Sequence, residues 1–175
     1  MQTNLLRVAG FAAILATGVA TGAIAHVTLD ASKAPSGSYY KAVFNVPHGC
    51  DGSPTVRLRV QIPDGVTSVK PQPRSGWKLQ IVKTRLAKPL EVDHGRTVTE
   101  AVTEVVWSGG RLLDENFEEF RIQVKLPDRP GETIWFPVVQ ECEKGVNRWI
   151  EIPAAGKSAH DLKQPAPGVA LAPKS

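Results

Sequence analysis

The chain has 175 residues, 42% hydrophobic and 22% charged, with 21 Lys+Arg against 17 Asp+Glu and a formal charge of +4. Its basic residues never gather into a run, which excludes a nucleic-acid footprint. The length suits one domain with a substantial core rather than two.

Residues 1–25 contain Arg7 and no acidic residue, an apolar run from Val8 to Ala20, and the small-residue pattern Ala23-Ile24-Ala25. This pattern predicts a secretory signal peptide cut after Ala25. The apolar run is short and Gly-interrupted for a bilayer span of roughly 20 residues. The expected mature chain is periplasmic or secreted, begins at His26, and carries 20 Lys+Arg against 17 Asp+Glu once Arg7 has left. It has two cysteines, Cys50 and Cys142, and an even pair in an oxidising compartment predicts a disulfide. The single methionine is Met1, so no thioether remains for a Met-rich Cu(I) site.

From His26 onward the sequence reads as short strands separated by Pro and Gly. His26–Asp30 is a first strand and Tyr39–Val46 a second, ended by Pro47 and the loop His48-Gly49-Cys50-Asp51-Gly52-Ser53-Pro54. Thr55–Ile62 alternates, with Val56, Leu58, Val60 and Ile62 expected on the buried face. Short strands follow at Val66–Lys70 and Trp77–Thr84. The long run Thr97–Trp107 is expected to break at Gly109-Gly110. A helical turn is allowed at Leu112–Glu119, where four acidic residues surround Leu113 and Phe117. Strands are expected at Phe120–Leu126 and Thr133–Glu141, and at Val146–Ile152 after the turn Glu143-Lys144-Gly145. Residues 154–175 read as a Pro/Ala-rich tail, too poor in large apolar groups to pack as a unit. The expected organisation is a signal peptide over 1–25, one domain over 26–153 and a tail over 154–175. The expected fold is all-β, an immunoglobulin-like antiparallel β-sandwich, with a barrel as the alternative.

An N-terminal His26 would offer its α-amine and Nδ1 to a metal in one chelate ring, and nitrogen donors suit Cu(II), which heads the divalent affinity order. His48 lies in a loop two residues before a predicted disulfide half and three before Asp51; by residue type alone it reads as a solvated group. Trp135 and Trp149 read as packing residues, and His94 and His160 as solvated. Serine-nucleophile, phosphate-loop and paired-histidine zinc motifs are absent, so no enzyme is expected.

The segments His26-Val27-Thr28-Leu29, Gly37-Ser38-Tyr39-Tyr40, Val46-Pro47-His48-Gly49-Cys50, Gly76-Trp77, Val106-Trp107 and Asn147-Arg148-Trp149-Ile150 together resemble the YcnI-like family of exported copper-binding domains. The resemblance covers roughly His26 to Pro153, and its specificity lies in the order of the pieces. It implies an immunoglobulin-like sandwich and a Cu(II) ion held by a single-histidine brace. In such a brace the N-terminal amine and imidazole, here His26, act with a loop carboxylate, and a tryptophan, here Trp149, lies against the site. The carboxylate does not carry over: His48 and Gly49 follow Val46-Pro47, and Asp51 comes later. His48 is the favoured third ligand because neutral imidazole is a good Cu(II) donor, with Asp51 the oxygen-donor alternative. The implied function is copper sequestration or delivery, with a membrane copper transporter or copper chaperone as partner. The alternatives are a histidine-brace copper oxygenase and a metal-free β-sandwich binding module.

Overall fold

The computed structural model describes residues 26–92 and 95–174. The signal peptide expected over 1–25 and the reading of His94 lie outside the described residues. Among the described residues twelve strands run in order: β1 (Thr28–Leu29), β2 (Lys33–Pro35), β3 (Tyr39–Val46), β4 (Thr55–Gln61), β5 (Thr67–Pro71), β6 (Lys78–Val92), β7 (Arg96–Leu112), β8 (Glu118–Lys125), β9 (Thr133–Trp135), β10 (Val138–Cys142), β11 (Val146–Trp149) and β12 (Gly168–Ala172). A 3-10 turn, Ala159–Asp161, is capped by Ser158.

The strands form a four-stranded sheet ordered β1-β3-β8-β5, a five-stranded sheet ordered β11-β10-β4-β7-β6, and a small sheet β2-β12-β9. Alternation explains the layering. Tyr40, Ala42, Phe44 and Val46 of β3 point inward with Phe120, Ile122 and Val124 of β8, and they meet Leu58, Val60, Val105, Trp107 and Val138 of the larger sheet in one cluster. The all-β sandwich expected from the sequence is therefore present. Among the described strands all pairings are antiparallel except β2 with β12, and an isolated parallel bridge joins Glu151 to Pro165.

Five local expectations are corrected. The strand expected over Thr133–Glu141 is split at Phe136-Pro137: β9 pairs with β12, whereas β10 pairs with β4. Proline has no N–H for a ladder, and Phe136, fully buried against Phe44 at 5.7 Å, fills the point where the chain changes sheets. Gly109-Gly110 does not end β7. Register slips there, from Arg57↔Ser108 to Thr55↔Leu112. Gly109 takes φ 79°, and a Cβ on Gly110 would stand 2.1 Å from the Trp77 ring. The same bulge buries Thr55 and leaves Val56 half-exposed, so Val56 does not share the inward face of Leu58, Val60 and Ile62. No helical turn forms at Leu112–Glu119. A β-turn closed by Asn116 N–H to Leu113 C=O leads directly into β8, whose pairing Glu118↔Val46 takes over the backbone.

The fifth correction concerns the tail. Residues after Pro153 return to the domain: Ala166 N–H donates to Glu151 C=O (2.8 Å), and β12 lies between β2 and β9 with Val169 and Leu171 buried. Small apolar residues suffice here because only alternate side chains of β12 need to face the core.

Candidate metal centre

The region around His26 is assembled from three stretches. The first is the N-terminal strand. Thr28 pairs with Asn45 and Leu29 with Phe44. His26 lies two residues before β1, whose partner β3 ends in the loop that carries His48. Val27 and Leu29 are buried, whereas His26 is half-exposed at the domain rim.

The second stretch is the hairpin of β10 and β11, in which Val138 faces Trp149 and Gln140 faces Asn147. Trp149 is the inward residue at the end of β11, 1% exposed, and its ring centroid lies 5.5 Å from that of His26 at an interplanar angle of 52°. Its indole N–H donates to Gln140 Oε1 at 3.0 Å.

The third stretch is the loop after β3. Gln140 Nε2 donates to the His48 carbonyl at 2.7 Å and to Thr55 Oγ1 at 2.8 Å. The His48 Nδ1 lies 2.6 Å from the Gly49 carbonyl. Cys50 and Ser53 exchange backbone hydrogen bonds (2.8 and 2.9 Å) across Asp51 (φ 47°) and Gly52 (φ 82°), an Asp-Gly turn with both central residues left-handed. The predicted disulfide is present and joins Cys50 to Cys142 at the end of β10. Thr55 Oγ1 lies 3.7 Å from Cys142 Sγ.

His26 and Trp149 are thus in contact, and Trp149 is tied through Gln140 to the backbone of His48. Asp51 is exposed at its turn tip, where it lines a shallow groove with Glu143, Lys144 and Gly145. Among the described residues no group of three or more His, Cys, Asp or Glu side chains is gathered as a metal cage. The donors that fit Cu(II) are the imidazole of His26 and the amine its residue would expose on cleavage after Ala25, a two-nitrogen chelate at one terminus. Sequence reasoning missed Gln140, although it occupies the inward phase set by Ile134, Phe136 and Val138. It also missed Asp114, whose Oδ1 lies 3.1 Å from where a Cβ on Gly49 would stand. That carboxylate is 65 residues away in sequence from Gly49, and only the fold brings it to the loop.

The family model described as a domain of unknown function, DUF1775, matches residues 26–171. A crystal structure of an uncharacterized protein from Nocardia farcinica, described as revealing an immunoglobulin-like fold, is 30% identical with a TM-score of 0.64, over 84% of this chain and 98% of that one. No curated protein matches. The match runs from His26 into β12, ending one residue before that strand does; the chain belongs to the DUF1775 family.

Proposed function

We propose that the mature chain is an exported Cu(II)-binding protein of copper homeostasis that sequesters the ion or delivers it, with the α-amine and Nδ1 of His26 as the first two donors. The observation that carries this reading is the contact of the half-exposed His26 imidazole with the buried indole of Trp149. An indole wall screens one side of the imidazole from water and holds the ring at the rim of a rigid sandwich. The Ala-x-Ala pattern before His26 and the start of the family match at His26 support the same chain start. The tie of the His48 backbone to Trp149 through Gln140 supports His48 as the next donor. The exposed turn position of Asp51 makes it the second choice. Copper is cargo in this reading, so no substrate chemistry is required. A membrane copper transporter or a copper chaperone is the fitting recipient in the periplasm or outside the cell.

The test is a Cu(II) titration of protein beginning at His26 against protein retaining Ala25. Acylating the His26 nitrogen removes the chelate, and affinity is expected to fall by more than about tenfold, or ~1.4 kcal/mol. Equal affinity overturns the proposal. Trp149 fluorescence supplies the readout, since copper bound against the indole quenches it.

A further inference from the structure

We infer that Gln140 is the positioning residue of this centre, a buried amide that holds the Trp149 wall and the His48 loop in one fixed relation. The consequence for copper rests on the reading above; the mechanics rest on the hydrogen bonds alone.

Gln140 is 1% exposed and stands in a face otherwise built from Val138, Leu58 and Trp149. Burying an amide among apolar side chains is costly unless its polar atoms are all bonded. Here they are: Oε1 accepts from the Trp149 indole, and the two Nε2 protons go to the His48 carbonyl and Thr55 Oγ1. Only this orientation of the amide works, because the reverse would aim two N–H donors at the indole N–H and a carbonyl oxygen at the His48 carbonyl. Among the described residues no buried side-chain N or O lacks a partner. A fully satisfied buried network rigidifies what it joins. In this protein it joins β11, the loop after β3 and the first residue of β4.

Other side chains fail in distinguishable ways. Leucine at 140 would fill the space and remove the acceptor of the indole N–H and the amide hydrogen bond to the His48 carbonyl. Glutamate would still accept from the indole but would oppose the His48 carbonyl with a second acceptor. The two arms of the proposed centre can therefore be released separately.

The experiment uses the full mature chain from His26, metal-free and with Cu(II), as wild type, Gln140→Leu, Gln140→Glu and Trp149→Phe. In metal-free NMR spectra, Gln140→Leu is expected to shift the Trp149 indole proton and the His48 and Gly49 amides. Gln140→Glu is expected to keep the indole close to wild type while the His48 and Gly49 amides move. Cu(II) dissociation constants are expected to rise about tenfold in Gln140→Leu, the scale of one buried hydrogen bond. A folded Gln140→Leu with unmoved His48 and Gly49 amides and unchanged copper affinity overturns the inference. If Gln140→Leu does not fold, Trp149→Phe decides: a response at the His48 amide, across the core, supports the coupling, and silence there refutes it. If wild type takes up no copper, the functional proposal falls, and the metal-free spectra still decide the role of Gln140.

Discussion

Replacing both Cys50 and Cys142 by alanine removes a crosslink between positions 92 residues apart, joining the loop after β3 to the end of β10. On the chain-entropy argument, releasing a loop of this length costs about 4–5 kcal/mol through the freedom returned to the unfolded chain. That is a large share of the ~5–15 kcal/mol by which a domain is stable. With a urea dependence of about 2 kcal/mol/M, the unfolding midpoint should fall by roughly 2 M. Equilibrium urea unfolding followed by far-UV circular dichroism measures both midpoint and slope. A steeper slope accompanying the fall assigns the effect to a more expanded unfolded state. A similar fall at constant slope assigns it to native contacts, among them that of Thr55 Oγ1 with Cys142 Sγ. A midpoint lowered by less than about 0.5 M would refute the reasoning, because it would mean that the crosslink constrains almost nothing that the unfolded chain samples.

Deleting residues 154–175 should destabilise the domain by at least ~3–6 kcal/mol, since Val169 and Leu171 leave a fully apolar site between β2 and β9; a truncated protein with the melting temperature of the full domain would contradict this. Gly49→Ala should cost about 1–3 kcal/mol, because its Cβ would stand 2.1 Å from the Ser53 carbonyl oxygen and force open the Cys50–Ser53 turn. An unchanged thermal melt would show that the loop relaxes freely. Burial, and then the nearby charge of Asp30, push the Tyr40 hydroxyl up to about 12. Its contribution to stability is therefore complete below pH 10, the ordinary phenol value, and is lost as pH rises from 10 through 12. Urea midpoints across this range should decline in wild type and decline less in Tyr40→Phe; parallel declines would remove Tyr40 as the cause.

The alternation of β3, and of β4 from Leu58 onward, was legible because each strand buries one face there, which a period of two records directly. The disulfide was legible from an even cysteine count and an export pattern. The change of sheets at Pro137 was not, since Thr133–Glu141 reads as one continuous β-rich run and the partners of its two halves, β12 and β4, lie far away in sequence. The β12 strand escaped notice for a related reason: Gly168–Ala172 has little bulk, and its burial comes from the neighbours that flank it. At the candidate centre His26, His48 and Trp149 could be named from local signals. Gln140 could not, because a glutamine two residues after Val138 looks like any strand polar group until its three partners are known to converge on it from Trp149, His48 and Thr55.

In a chain cut after Ala25, the buried Val27 would have a kinetic consequence for the new end. His26 has a single peptide unit of slack before the core takes hold, so its backbone nitrogen sweeps a small volume fixed by its own φ and ψ. Large excursions of that nitrogen require Val27 to leave the core and the two-residue β1 to fray. A ligand gripped there would dissociate on the clock of strand opening, and a recipient able to trap the frayed terminus would set the rate of hand-over.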